Sequence, residues 1–169
     1  MRIYLLGLMG SGKTTVGKKL AKKLDFQFID LDDVIEKKSG LAISAYFEEF
    51  GEENFRLFER ETLRETFHLN RVVISTGGGV PCFFNNIGEI LENGLSFYLK
   101  ANANLLFSRL KDAKDQRPLI SNLSNEQLTM NLEALLEKRE IFYSKANYSV
   151  NAINPLDEML LIINNLSGS

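Results

Sequence analysis

Apolar residues along the chain follow two alternating rhythms. Short continuous runs at 3–6, 26–30, 71–76, 95–99 and 148–150 read as strands, and the β-branched run at 72–74 is apolar enough to be buried on both faces. Between these runs the apolar positions recur at helix spacing. Val16, Leu20, Ala21 and Leu24 follow the first run; residues 34–39 follow the second and stop at Gly40. Ile43, Tyr46, Phe47, Phe50, Phe55, Phe58, Thr62 and Phe67 continue the period across 43–69, where Gly51 predicts a break into two helices. Pro81 opens a helix reaching about residue 91 that Asn93-Gly94 ends, residues 102–110 and 126–146 supply two more, and Asn154-Pro155 introduces a closing one. Regular alternation of strand and helix predicts an α/β fold: a single three-layer αβα domain over residues 1–166, built on a five-stranded parallel sheet. Ser167-Gly168-Ser169 reads as a frayed tail. Residues 111–123 lose the apolar period and gain charge, which predicts an exposed, mobile lid.

The chemistry concentrates where these elements meet. Gly7-Leu8-Met9-Gly10-Ser11-Gly12-Lys13-Thr14-Thr15 joins the first strand to the first helix and has the spacing of a phosphate cradle. Its glycines expose backbone N–H groups beside a helix N-terminus; Lys13 is placed to reach the outer phosphates and Thr14 to offer its hydroxyl to Mg²⁺. After the second strand come Asp30, Asp32 and Asp33, at the strand end where parallel sheets collect ligands. Asp is also a good helix N-cap, so Asp33 serves equally as a first-turn acid. Asp30 and Asp32 share a face if the strand continues through them, and either suits Mg²⁺ or a substrate hydroxyl. Gly77-Gly78-Gly79 costs more backbone entropy than a turn requires, which points to a ligand lying against bare backbone. Ser75 and Thr76 stand where many P-loop enzymes carry a metal-binding acid, so the acids after the second strand take over that duty. Arg56 has the planar fork for a carboxylate or phosphate, but on a helix rich in Glu52, Glu53, Glu59 and Glu61 surface pairing accounts for it equally well. Phe47 and Phe55 read as core, and His68 as a surface residue. Arg109 and Arg117 bracket the predicted lid, where a loop arginine suits phosphoryl transfer.

Composition narrows the partners. With 20 basic and 22 acidic residues and a formal net charge of −2, no nucleic-acid footprint is visible. The single cysteine, Cys82, excludes an internal disulfide framework and suits a reducing compartment. No apolar run approaches ~18 residues and no signal peptide is readable. A small-molecule partner, no membrane and a cytoplasmic location are therefore expected.

Taken in order, these motifs resemble the shikimate kinase family over nearly the whole chain. Phe28-Ile29-Asp30-Leu31-Asp32 is similar to the family's Asp-x-Asp, and Gly51-Glu52-x-x-Phe55-Arg56-x-x-Glu59 to its Gly-Glu-x-x-Phe-Arg-x-x-Glu. Ser75 to Gly79 resembles its triple-glycine loop, Arg117-Pro118-Leu119 its lid, and Arg139-x-x-x-Tyr143-x-x-Ala146 its late substrate arginine. The resemblance implies transfer of the ATP γ-phosphate to the 3-hydroxyl of shikimate, with Mg²⁺, in the pathway to aromatic amino acids. It implies that Arg56 and Arg139 grip the shikimate carboxylate, that Asp32 orients or deprotonates the attacking hydroxyl, and that Gly77, Gly78 and Gly79 bind through backbone. Phe47 and Phe55 would line the ring pocket. Gly10, Ser11, Gly12, Lys13, Thr14 and Thr15 would hold the phosphates, with Thr14 on Mg²⁺ directly and Asp30 through water. Lys13 and Arg117 would steady the transferring group, while Arg109 and Asn154-Pro155 border adenine. A monomer is expected. Ala42, Ala45 and Phe142 depart from the family pattern, away from the proposed clamp. The competing readings are a gluconate or nucleoside monophosphate kinase of the same fold, and a nucleotide-binding regulator without catalysis.

Overall fold

The computed structural model describes residues 1–111 and 124–168. Its strands are β1 (Arg2–Leu6), β2 (Gln27–Asp30), β3 (Val72–Ser75), β4 (Leu95–Lys100) and β5 (Tyr148–Asn151). They pair in the order β2-β3-β1-β4-β5, every pairing parallel. The helices are α1 (Lys13–Leu24), α2 (Leu31–Ser39), α3 (Ile43–Glu65), α4 (Asn86–Asn93), α5 (Ala103–Leu110), α6 (Asn125–Tyr143) and α7 (Pro155–Ser167), and they flank the sheet as the alternation predicts. The central strand β1 is buried from Ile3 to Leu6, between Val72, Val73 and Ile74 on one side and Phe97, Tyr98 and Leu99 on the other. The chain steps from β1 outward to β2 and back to β3, then crosses to β4 and β5. The direction of winding therefore reverses at β1, which opens a crevice at its carboxyl end.

Two local expectations need correction, one open alternative is decided and one expected break is present. Residues 81–91 do not form one helix. A single 3-10 turn (Val80–Cys82) is followed by a bend in which Phe84 takes φ 53°, and α4 starts only at Asn86, whose side chain donates to Val80 O at 2.8 Å. Residues 30–32 do not continue as a strand. Asp30 closes β2 in extended conformation and caps α2 through Asp32 N–H at 3.1 Å, because its short carboxylate satisfies one of the helix's free N–H groups. The expected break at Gly51 is present: its non-helical φ 79° and ψ 168° divide α3 into two helical stretches across a kink. The closing helix carries through Ser167, whose hydroxyl donates to Ile163 O at 3.0 Å, so the expected tail begins later.

Candidate active site

The crevice at the end of β1 holds a cleft of about 310 Å³. Gly10, Gly12, Lys13, Thr14 and Thr15 line it from the cradle, Asp30 and Asp32 from the β2–α2 junction, Gly78 from the triple-glycine loop and Arg109 from α5. Gly12 takes φ 94°, a conformation other residues resist, and it turns the loop into the first turn of α1. Ser11 lies beneath the loop, fully buried, and its Oγ has no partner among the described residues. Lys13 Nζ is held inside the cradle, donating to Gly7 O at 2.8 Å and Leu8 O at 3.1 Å.

Two oxygen-bearing side chains meet at the cleft floor. Thr14 Oγ1 donates to Asp30 Oδ2 at 2.6 Å, while Asp30 Oδ1 accepts from Asp32 N–H. Capping thus fixes Asp30 toward Thr14. Asp32, in the first turn of α2, also lines the cleft. Burial raises its pKa to about 6, and the neighbouring Asp30 charge adds to the rise, while Lys13 opposes it.

The second half of the site is built on α3 and α6. Arg56 lies over the ring of Phe83 at 4.1 Å, with Phe55 at 5.2 Å and Phe47 at 5.6 Å from its guanidinium carbon. Its Nη1 donates to Glu59 at 2.8 Å and it pairs at 3.3 Å with Glu52. This is not the surface pairing that the acidic helix suggested. The Arg56 side chain is 11% exposed and Glu59 only 2%, and burial raises the Glu59 pKa against the opposing pull of Arg56. The triple-glycine loop lies against both arginines. A side chain at Gly79 would strike Arg56 Nη1 at 2.5 Å, and one at Gly78 would sit 3.4 Å from Arg139 Nη1. At Gly79 the Arg56 guanidinium occupies the space a side chain would need, while the contact at Gly78 is an ordinary one.

The model of the shikimate kinase family matches residues 9–161. A shikimate kinase from Parabacteroides distasonis is 45% identical over 157 residues, covering 93% of this chain and 91% of that protein. The chain belongs to the shikimate kinase family. It is a P-loop kinase, and the crystal structure of shikimate kinase from Bacteroides thetaiotaomicron superposes with a TM-score of 0.92 at 38% identity, covering 100% of this chain and 99% of that one. The Acinetobacter baumannii shikimate kinase in complex with shikimate gives a TM-score of 0.86 at 35% identity, over 97% and 93% of the two chains.

Set beside the family expectations, most of the cradle and both carboxylates share one cleft, and Arg56, Arg139, Phe47 and Phe55 gather around the glycine loop next to it. The adenine assignments find less support. Arg109 lines the cleft, but its guanidinium is engaged as a strut, donating to Gly10 O at 3.3 Å, Ser11 O at 2.9 Å and Ala152 O at 2.9 Å. Asn154 and Pro155 cap and open α7 and are not among the cleft-lining residues. Arg117 and the expected lid at 111–123 lie outside the described residues, apart from Lys111. Sequence reasoning gave no role to Glu59, Phe83 or Tyr143. Glu59 and Tyr143 stand inside quoted motifs, three residues after Arg56 and four after Arg139, spacings that place them beside those arginines on a helix. Phe83 carries no such signal.

Proposed function

We propose that this chain transfers the γ-phosphoryl group of ATP to the 3-hydroxyl of shikimate. The observation that carries the reading is the convergence of Arg56 and Arg139 on the Gly78-Gly79 backbone, beside the carboxylate Asp32 at the mouth of a phosphate cradle. An acceptor that is both an acid and a polyol needs two guanidinium groups for its carboxylate and a carboxylate for its hydroxyls. A neutral sugar has no use for the first, and a nucleotide acceptor needs a base pocket.

The donor set fits Mg²⁺. Thr14 hydroxyl, Asp30 and Asp32 are hard oxygen donors, and no group of three or more His, Cys, Asp or Glu forms a cage among the described residues. Mg²⁺ binds through one or two protein oxygens and completes its shell with water and phosphate oxygens. When bound there it neutralises charge on the phosphates. Thr14 would hold the ion directly and Asp30 through water.

Arg56 and Arg139 fix the ring through its carboxylate, which turns the opposite edge toward Asp32 and the cradle. Asp32 accepts a hydrogen bond from the 3-hydroxyl, orienting its lone pair at the γ-phosphorus, and takes the proton as the new O–P bond forms and the bond from the γ-phosphorus to the bridging oxygen breaks, releasing ADP. A carboxylate made more basic by burial is suited to that step. Lys13 moves from the Gly7 and Leu8 carbonyls to the phosphates and offsets charge on the transferring group, joined by Arg117, an assignment that rests on its sequence motif. Gly10, Ser11, Gly12 and Thr15 supply cradle contacts, Gly77 shapes the loop, and Arg109 with Asn154-Pro155 borders the adenine. The reading takes the working form as one domain and a monomer, in a cytoplasm that keeps Cys82 reduced.

The test is ADP release with shikimate, gluconate and AMP as acceptors at equal concentration. Turnover restricted to shikimate is expected. Faster turnover of gluconate, itself an acid and a polyol, or of AMP would overturn shikimate as the acceptor.

A further inference from the structure

Tyr143 is the last residue of α6 and is fully buried, yet its hydroxyl is not idle. It donates to Gly78 O at 2.5 Å, across 65 residues of sequence, and the Arg139 guanidinium, one turn earlier on the same helix, acts on the same hydroxyl. The other two carbonyls of the glycine loop are taken up by local turns: Val80 N–H donates to Gly77 O at 3.1 Å and Cys82 N–H to Gly79 O at 2.9 Å. The Gly78 carbonyl, which the Cys82 thiol also approaches at 4.0 Å, is the one held from a distant element. The Gly78–Gly79 bond is trans, so its carbonyl and the Gly79 N–H point in opposite directions from one rigid plane. Among the described residues neither the Gly78 nor the Gly79 amide has an acceptor. Glycine gives this plane little resistance to rotation, and a flip of the peptide would turn the Gly79 donor away from the clamp.

We infer that Tyr143 is a positioning residue for the acceptor: by holding the Gly78 carbonyl it aims the Gly79 N–H at the shikimate side of the site and keeps Arg139 in register with it. This rests on the reading of Arg139, Gly78 and Gly79 as shikimate contacts. Burial also raises the Tyr143 pKa, so the hydroxyl stays a donor across the working pH range.

A matched control exists in the same structure. Tyr98 packs its ring 5.2 Å from that of Tyr143 and donates its own hydroxyl to Glu140 at 2.5 Å, away from the glycine loop. Tyr143→Phe and Tyr98→Phe each delete one buried hydroxyl and keep the ring. Tyr143→Phe is expected to raise the shikimate KM roughly ten-fold, the loss of about one well-placed hydrogen bond, with the ATP KM within about two-fold of wild type. Tyr98→Phe should leave both KM values unchanged. An unchanged shikimate KM in Tyr143→Phe, or an equal rise in the two variants, overturns the inference. Wild-type protein that does not phosphorylate shikimate overturns the underlying reading instead. Glycine-selective ¹⁵N spectra of wild type provide a measurement independent of variant folding. The Gly79 amide resonance should move on shikimate addition, and one that stays in place also overturns the inference.

Discussion

Asp32→Asn should slow the enzyme and stabilise the protein, and the stabilisation should grow with pH. The Asp32 carboxyl titrates near 6 in the fold instead of at 3.8, raised first by burial and then by Asp30, with Lys13 pulling the other way. Between those two pH values the folded protein holds a proton that the unfolded chain has released. Stability therefore falls as pH rises through this window, and the whole penalty is present above pH 6. A rise of about two units, at about 1.4 kcal/mol each, sets an upper figure near 3 kcal/mol, and relaxation around the charge reduces it to about 1–3 kcal/mol. Asparagine keeps the shape and removes the charge. In a chain of this length each kcal/mol moves the melting temperature by about 2–4 °C, so at pH 8 the variant should melt several degrees above wild type. At pH 4, where the folded wild-type carboxyl is protonated, the difference should shrink toward zero. Denaturant melts of both proteins without nucleotide, from pH 4 to 8, measure it directly. Over the same series kcat should drop by at least ~10²-fold, with a smaller change in ATP affinity. A variant less stable than wild type at pH 8, or a difference that does not vary with pH, would refute the account of Asp32 as a strained base. A loss of ATP binding as large as the loss of rate would place Asp32 chiefly on the metal.

The remaining predictions address the cations. Lys13→Ala should cost at least ~10²-fold in kcat with the melting curve little changed, because a positive partner for phosphate charge is lost, and near-normal turnover would remove the cradle assignment. Arg56→Lys keeps the charge but loses the fork that Glu59 and the substrate share, so shikimate affinity should fall roughly ten- to hundred-fold by calorimetry. An equal loss toward a carboxyl-reduced analogue would move the clamp elsewhere. Arg117→Ala should lower kcat by roughly 10²-fold or more while changing the ADP Kd far less, since ADP lacks the γ-phosphate the arginine is assigned to hold, and the opposite ranking would make it a pocket residue only.

What the sequence reveals and what it hides follow a physical division. Strands β1 and β3 are legible because burial on both faces demands apolar runs, and the cradle is legible because its glycine spacing has a backbone cause. The Asp30–Asp32 geometry stays open in the sequence because a strand continuation and an N-cap both accommodate aspartate there, and the tertiary course of α2 decides for the cap. Pro81 is a good helix-starting signal, yet the two phenylalanines after it are drawn out of helical geometry. Phe83 packs on Arg56 and Phe84 lies 4.9 Å from the Arg60 guanidinium, so tertiary cation–π contacts override a local propensity worth a few tenths of a kcal/mol per residue. Glu59 was hidden for a related reason. A glutamate among glutamates on a helix reads as solvated, and nothing local shows that this one faces the glycine loop.

That buried glutamate changes how the acceptor half of the site works. Arg56 alone, in a pocket walled by Phe47, Phe55 and Phe83, would be a cation with its water removed and only ring faces in return. Glu59 supplies an anion at Nη1 and Glu52 accepts at 3.3 Å from Nε and Nη2, which leaves one N–H on each terminal nitrogen of the guanidinium for a ligand carboxylate. The arginine is therefore held at a fixed position before any acid arrives, and less of the binding energy is lost to ordering a long side chain. The same arrangement is selective. On the proposed function a neutral acceptor leaves Arg139 with only the Coulombic pull of Glu59, whereas an acid meets both cations at once. On the proposed function, the pairing of a buried carboxylate with one arginine, and of bare glycine backbone beside both, would suit the site to one carboxylate rather than make it a generally basic pocket. Asp32, its pKa raised by burial, lines the cleft to which the proposed function brings the acceptor hydroxyl.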